Sequence, residues 1–474
     1  MITALIVLPL AAALVVWLLP LSGRAAGALA LLTALVEVAL WAVAVAGFDF
    51  NQGLQLQDQQ SWFSDLGVSY HVGFFGYSLW LAGLTVVVCA ASIGYALRVN
   101  RERGRAYHGL LLFLMGSIVG VFTAQDLLLF YVFFEAMLIP IYVLIGVWGG
   151  PRRVRATATF VIYTMAGSLL MLAAIVAFGL SQGTFSLVDS GTSANEWVFL
   201  GFLAAFAVKA PIFPFHGWLV EAYRESPPEV AAILSGVVSK AAVYGLLRIV
   251  LAKFPEPVDD FQVAILAFAA VGLVYGSLLA FRAPDLRSVT AYSSMAQMGL
   301  IVLGLFSLTE LGRNGAILQS VAHGLVSAVL FLLVGMVETR TGTSALSVLG
   351  GMARGRPALA TVLMTTGIIA LAVPGSVAFA GEFLILAGVY KAGWGWAAIG
   401  AGAIVLAAMY MLRLISAVLH RARGGDVRDE SPDLRPFELA LVVPLVAALL
   451  FLSAWPASIS ERSFPETDTI EASE

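Results

Sequence analysis

Charged residues are scarce in this chain of 474 residues: Asp, Glu, Lys and Arg make up 12% of it, while hydrophobic residues make up 60%. Soluble domains contain about 25% charged residues, which supply the surface that water requires. A soluble protein of this size is therefore excluded, and the composition indicates an integral membrane protein. The net charge of -3 and the absence of a basic stripe argue against nucleic acid as a partner.

Cysteine and histidine are also rare. The one cysteine, Cys89, excludes a disulfide framework and any cluster held by thiolates within the chain. The five histidines are scattered along the sequence, so no haem or metal site is indicated. The first apolar stretch, residues 2–21, begins without a basic region and lacks a convincing cleavage site, so we interpret it as a retained membrane span.

Long apolar runs dominate the sequence. Because a membrane helix needs about 20 apolar residues, they predict an all-α polytopic membrane protein with about fourteen transmembrane helices. The predicted spans lie near 2–21, 25–47, 73–97, 106–124, 126–147, 156–179, 196–222, 227–250, 260–281, 286–306, 312–337, 358–390, 395–419 and 436–456. The longest connection, about 48–72, is polar and predicts a small hairpin or cap.

The distribution of Lys and Arg predicts the orientation. Odd-numbered loops carry 18 of these residues, whereas even-numbered loops and the C-terminal tail carry 4. Basic residues accumulate in cytoplasmic loops. Both termini are therefore expected on the outer, periplasmic side of a bacterial inner membrane.

Apart from the 22 basic residues counted with the loops and the tail, four fall inside predicted spans: Lys209, Lys240, Arg248 and Arg413. Arg248 lies near a helix end and can extend its charge to the membrane surface. The two lysines lie at greater depth, where a charge costs about 2.5–3.5 kcal/mol on insertion scales. Since arginine stays charged and a buried lysine can release its proton, lysine at this depth favours proton transfer.

Titratable groups of other types lie at similar depth. Glu135, Glu382 and His323 are each within a predicted span, as is Glu37. Any one of them alone is better explained as an interhelical pair or a satisfied core residue. Glu135, Lys209, Lys240, His323 and Glu382 on five helices instead favour a proton relay. Glu37 belongs to no motif, and a structural role is favoured for it.

Two predicted spans are interrupted by proline. Pro211 and Pro214 follow Lys209, and Pro374 precedes Glu382. Proline frees backbone carbonyls within the membrane, and paired interruptions are typical of inverted-repeat transporters. The sequence therefore predicts two inverted five-helix repeats with broken helices 7 and 12. The expected divisions are 1–105 for helices 1–3 and a polar outer loop, 106–250 and 260–420 for the repeats, and 436–474 for helix 14 and the tail.

Six segments follow one another in the order DLLLFYVFFEAMLIPIYVLIGVWGG, FAVKAPIFPFHGWL, SKAAVYGLLRI, AYSSMAQMGL, GAILQSVAHGLVSAVLFLLVG and PGSVAFAGEF. Together they resemble subunit M of proton-pumping NADH–quinone oxidoreductase (respiratory complex I), in the antiporter-like family. The resemblance runs from about Gly109 to Arg435. The combination is specific, whereas any one segment would indicate only the wider superfamily.

The resemblance implies roles for five residues. Glu135 corresponds by motif to the family's glutamate of helix five, Lys209 to the lysine of broken helix seven and Lys240 to the lysine of helix eight. His323 corresponds to the histidine of helix eleven and Glu382 to the acid of helix twelve. In that family the first three form the input side of a proton path, and the helix-twelve acid lies on the output side.

The resemblance also implies partners. The chain is expected to contain no redox cofactor; NADH, FMN, iron–sulfur clusters and quinone are implied in partner subunits, with antiporter-like subunits L and N as neighbours. It would take part in NADH:quinone oxidoreduction without performing the redox step itself.

Some positions depart from the family pattern. Gln297 replaces the histidine of the family's SHMG motif, while Glu221 and Tyr223 in WLVEAY replace the acid and histidine of WLPDAH. Glu225 and Glu229 keep the same corner acidic. These differences weaken the assignment of a cytoplasmic entry route there.

Two other classes of protein remain open at this point. One is a subunit of an Mrp-type sodium/proton antiporter or of a membrane-bound hydrogenase. The other is a structural membrane scaffold, for which neutralising a buried charge would be harmless or stabilising.

Overall fold

The computed structural model describes residues 1–63, 67–428 and 431–465. Within these residues the chain forms one β-hairpin and seventeen helices. The strands are β1 Gln55–Phe63 and β2 Val68–Phe74. The helices are α1 Ile2–Leu18, α2 Gly23–Ala46, α3 Gly76–Val99, α4 Gly104–Thr123, α5 Leu127–Trp148, α6 Arg153–Gln182, α7 Glu196–Lys209, α8 Leu219–Glu225, α9 Pro228–Leu251, α10 Pro255–Arg282, α11 Leu286–Leu305, α12 Glu310–Thr341, α13 Pro357–Ala370, α14 Val377–Ala392, α15 Trp394–His420, α16 Pro436–Ala454 and α17 Ala457–Ser460.

The helices confirm a polytopic membrane protein. By length and composition, eleven helices in the described part of the chain are long and apolar enough to cross a membrane. The other three predicted spans coincide with α1, which is 17 residues long, and with the interrupted segments α7–α8 and α13–α14. The count of fourteen spans stays a prediction.

Both predicted interruptions are present. Helix α7 ends at Lys209 and α8 begins only at Leu219, so the segment containing Pro211 and Pro214 is not helical. Helix α13 ends at Ala370, and α14 begins at Val377 after Gly375, whose φ of 93° is a left-handed conformation that glycine adopts readily. Each break leaves the polar ends of two short helices within an apolar segment.

The polar stretch after α2 forms the predicted hairpin. Strands β1 and β2 pair antiparallel, with Asp58 opposite Val72 and Gln60 opposite Tyr70. The hydroxyl of Thr3 donates a hydrogen bond of 2.6 Å to the Asp58 carboxylate, which ties the hairpin to the start of α1.

The chain divides into two compact units. Unit 1 contains Met1–Pro211, Val237–Ala264 and the described residues from Glu461 onward, and unit 2 contains Ile212–Gly236 and Ile265–Ser460. In unit 2, α8 packs against α11, and the first turns of α9 pack against α12. The division into inverted repeats stays a prediction.

One local arrangement occurs in each unit. The Asp126 carboxylate accepts hydrogen bonds from the first backbone N–H groups of α5, and Asp126 pairs with Ser186 in an isolated bridge. In unit 2, Asp285 caps α11 in the same way and pairs with Ala345. The same number of residues separates the two caps as separates their two bridge partners, which supports an internal repeat.

Candidate functional site

Unit 1 buries Lys209 at the broken end of α7. The side chain is 2% exposed, and its position in the last turn lets the helix carbonyl groups stabilise a cation. The ammonium nitrogen lies 4.8 Å from the centre of the Phe134 ring, within the range of a cation–π interaction. The neighbouring Glu135 acts electrostatically on this lysine, although the structure describes no ion pair between the two.

Lys240 lies in the middle of α9 and is fully buried. Its ammonium donates a 3.3 Å hydrogen bond to the hydroxyl of Ser239. The α-helical turns around it are flanked by two π-helical segments, Leu234–Val238 and Leu246–Leu251. Such wide turns occur frequently at functional sites, because they change the backbone hydrogen bonding and the side-chain directions.

Unit 2 holds Glu382 between two amides. Gln297 donates a hydrogen bond of 3.0 Å to Oε1 of Glu382, and Gln319 donates one of 3.5 Å to the same oxygen. Gln319 also donates to Oε1 of Gln297 at 2.8 Å, so the three side chains form a closed cluster. Atom Oε2 of Glu382 is buried without a hydrogen-bond partner, which leaves one carboxyl oxygen free to take up a proton or a water.

His323 contacts a row of serine hydroxyls in unit 2. Its Nε2 lies 3.1 Å from Oγ of Ser294, which accepts a 2.9 Å hydrogen bond from Ser235. Ser235 also hydrogen-bonds with Ser327. Hydroxyl and imidazole groups both donate and accept protons. The row can therefore pass a proton by successive exchange of hydrogen bonds.

A small cavity adjoins these groups. It is lined in part by Ser293, Gln297, Gln319 and His323, and has about 10 Å³ of space for water. That volume corresponds to about one water molecule. A single water there would have the polar partners that a buried water requires.

The structure sorts the five sequence-predicted residues into two groups, Glu135, Lys209 and Lys240 in unit 1 and His323 and Glu382 in unit 2. Sequence reasoning noted Gln297 only as a departure from a motif, and it missed Gln319 and the serine row. Gln319, His323 and Ser327 recur every four residues in α12, so a polar stripe in an apolar helix was the available signal.

Two other expectations concern single residues and metals. Glu37 is fully buried, and neither of its carboxyl oxygens has a hydrogen-bond partner. Among residues 1–63, 67–428 and 431–465, no three His, Cys, Asp or Glu side chains converge in a way that could hold a metal ion.

Long apolar helices, two helix breaks and buried titratable groups beside them define a membrane protein of the ion-translocating class. The chain belongs to the family described as NADH:quinone oxidoreductase/Mrp antiporter, TM, whose model matches residues 124–407. This confirms the family indicated by the sequence motifs.

Individual relatives agree with the family assignment. The NADH-quinone oxidoreductase subunit M of Rickettsia prowazekii (strain Madrid E) is 34% identical over 416 residues, covering 86% of this chain and 85% of that protein. A chain of respiratory complex I from Thermus thermophilus with bound NADH is 32% identical with a TM-score of 0.91, covering 100% of this chain and 99% of that chain. A chain of the Mrp complex from Dietzia sp. DQ12-45-1b has a TM-score of 0.87 but 22% identity, covering 99% and 98%, and shows a shared fold.

Proposed function

We propose that this chain is a proton-translocating membrane subunit of an NADH–quinone oxidoreductase. The observation that supports this most directly is the buried Lys209 at the end of a half-helix, with its ammonium over the Phe134 ring. The similarity to subunit M of Rickettsia prowazekii assigns the enzyme. Electrons pass from NADH to quinone in partner subunits, which hold the FMN, the iron–sulfur clusters and the quinone.

Each proposed proton-carrying residue is assigned one step of proton transfer. Lys209 holds the proton in unit 1, and Glu135 is the acid that acts with it. Lys240 receives the proton next, because its hydrogen bond to Ser239 orients a buried amine that can be loaded and unloaded. In unit 2, His323 and the serine hydroxyls pass the proton on, and Glu382 releases it on the output side.

The position of Glu135 supports a place within a larger complex. Its side chain is half-buried in this chain although it lies in the apolar helix α5. A charged side chain facing lipid at this depth is costly. A neighbouring membrane subunit therefore covers this face, and antiporter-like subunits L and N are the neighbours that the family resemblance implies.

Replacing Lys240 with arginine tests proton transfer directly. Arginine keeps the charge but does not release a proton at accessible pH, so we expect NADH-driven proton pumping to fall about 100-fold or more, as when a positioned proton-transfer group is lost. The measurement uses the complex that co-purifies with the tagged chain, reconstituted in vesicles in sodium-free buffer. Lys391→Arg, at the exposed end of α14, is the matched control.

Two results would count against the proposal. Wild-type pumping by Lys240→Arg would make the residue a fixed charge rather than a proton carrier. Pumping by the unmodified complex that requires added sodium would favour the Mrp-type alternative.

The orientation in the membrane follows from the loop charges. With 18 basic residues on one side and 4 on the other, we propose that both termini lie on the periplasmic side of a bacterial inner membrane. A C-terminal reporter that is active only in the cytoplasm should be silent. A C-terminal reporter that is active only after export to the periplasm should be active. Strong activity of the cytoplasmic reporter would contradict both the orientation and the span count.

A further inference from the structure

The side chain of Arg248 is fastened inside unit 1, close to the hairpin. Its Nε donates a 3.0 Å hydrogen bond to Oε1 of Gln125, and its Nη2 donates a 3.0 Å hydrogen bond to the carbonyl oxygen of Leu187. The guanidinium carbon lies 5.0 Å from the centre of the Phe75 ring. The sequence had suggested that this arginine extends toward the membrane surface, but the structure holds it with three partners from three separate segments.

Backbone hydrogen bonds join these segments to one another at one end of unit 1. The backbone N–H of Gln125 donates to the carbonyl of His71 in β2, and the backbone N–H of Leu187 donates to the carbonyl of Gln125. The link between α4 and α5 therefore runs in an extended conformation, and isolated bridges join Ala124 to Val72 and Asp126 to Ser186. We call the three side chains in contact here, those of Arg248, Gln125 and Phe75, the hairpin seal.

The hairpin seal lies on the same helix as the buried lysine of the proton path. Arg248 is eight residues after Lys240, about 12 Å along the helix axis. Tyr244 stands between them, and its hydroxyl accepts a hydrogen bond from Gln125 and donates one to the carbonyl of Ala124. A proton leaving Lys240 toward the hairpin would therefore meet this cluster first.

The groups of the hairpin seal are unable to relay a proton. An amide nitrogen does not give up its hydrogen, a backbone carbonyl only accepts, and a guanidinium remains protonated. Tyr244 is the one hydroxyl in this chain of contacts, and its donated hydrogen bond ends on a carbonyl. Hopping along the hydrogen bonds therefore stops at this point.

Charge opposes the remaining route, which is diffusion of a hydrated proton through a gap. The Arg248 guanidinium is a permanent positive charge in a partly buried position, where electrostatic repulsion is screened less than in water. Lys253 adds a second cation, fixed by a 2.6 Å hydrogen bond to the carbonyl of Ser190. Burial and the charge of Arg248 lower the pKa of Lys253 to about 8, while Asp189 opposes this change.

We propose that Arg248 is a fixed positive charge that closes the hairpin end of unit 1 to protons. A proton held on Lys240 then has no exit at that end of unit 1. This inference rests on the proposed function, because a closed end matters only in a subunit that carries protons.

The test measures passive proton leak, which needs no NADH. Assembled complex in vesicles receives a pH step with the membrane potential clamped, and an internal pH dye reports how fast the gradient collapses. Arg248→Met removes the charge and keeps most of the bulk, so the leak should rise about tenfold or more. On the acid side of neutrality, where a lysine stays protonated, Arg248→Lys keeps the charge and should stay close to the unmodified protein. Arg282→Met, an exposed arginine at the end of α10, is the matched control.

A second variant covers failure of Arg248→Met to assemble. Gln125→Glu places a carboxylate beside the guanidinium and cancels its charge, so it should leak to a similar extent. Adding Lys240→Ala to either leaking variant should reduce the leak, since the proton would lose the group from which it leaves.

Three outcomes would overturn the inference. The first is a wild-type gradient lifetime in Arg248→Met or, where that variant does not assemble, in Gln125→Glu. The second is a leak in Arg248→Lys as large as in Arg248→Met, which would assign the effect to packing. The third is a leak that Lys240→Ala leaves unchanged. Because the leak is measured without NADH, these results are separate from NADH-driven pumping by the unmodified complex, whose absence would overturn the proposed function instead.

Discussion

Replacing Lys209 with alanine should produce an assembled complex that no longer pumps protons. Oxidation of NADH by an artificial acceptor at the peripheral arm should be normal, because those reactions take place in other subunits. Quinone-coupled proton uptake in reconstituted vesicles should fall about 100-fold or more, as expected when a positioned proton-transfer group is lost. The reason is local: Lys209 is a buried ammonium at the end of a half-helix beside the Phe134 ring, and alanine removes the group that would hold the proton.

Lys391→Ala is the control for loss of a lysine near a helix end, since Lys391 lies in the last turn of α14 and is exposed. It should assemble and pump normally. If Lys209→Ala assembles and pumps at the wild-type stoichiometry, Lys209 is not on the proton path, and the mechanism proposed for unit 1 is wrong.

Replacing Glu382 with glutamine should have an effect of similar size, about 100-fold or more on pumping. Glutamine has almost the same shape and can still accept the hydrogen bond from Gln297, but it carries no exchangeable acidic proton. Proton uptake by vesicles and NADH oxidation are measured together, so that loss of coupling is separated from loss of assembly.

Two further measurements complete this experiment: proton pumping by Glu382→Asp, and the thermal stability of the Glu382→Gln variant. Aspartate retains the carboxyl group on a shorter side chain and should keep part of the pumping activity. A structural scaffold would behave differently, because replacing a buried charge with a neutral group of similar volume is often neutral or stabilising. Full pumping by a stable Glu382→Gln variant would favour the scaffold and contradict a proton-carrying role.

Local signals explain what could be predicted from the sequence. Pro211 and Pro374 act on the backbone within a few residues, so the helix breaks at these places were readable without any tertiary information. Lys209 and Glu382 stand out because a titratable side chain in a long apolar run is rare. The family resemblance then implied an order for these residues along the proposed proton path.

Contacts between distant segments explain what could not be predicted. Gln297 and Gln319 are 22 residues apart and belong to different helices, and only the packing of α11, α12 and α14 brings their amides to Glu382. Arg248 likewise looked free to reach the membrane surface, because its partner Gln125 is 123 residues away. Single-helix reasoning places a residue in depth but does not identify its neighbours.

The two aspartate caps bear on how the two predicted repeats can diverge in sequence. The ninth residue after Asp126 is Glu135, and the ninth residue after Asp285 is Ser294. If the two predicted repeats descend from one ancestral copy, the aspartate cap was kept in both, while the residue nine positions further on is an acid in one and a hydroxyl in the other. The capping residues, which fix the helix ends, and the residues proposed to carry protons can then change independently in sequence, without loss of the fold.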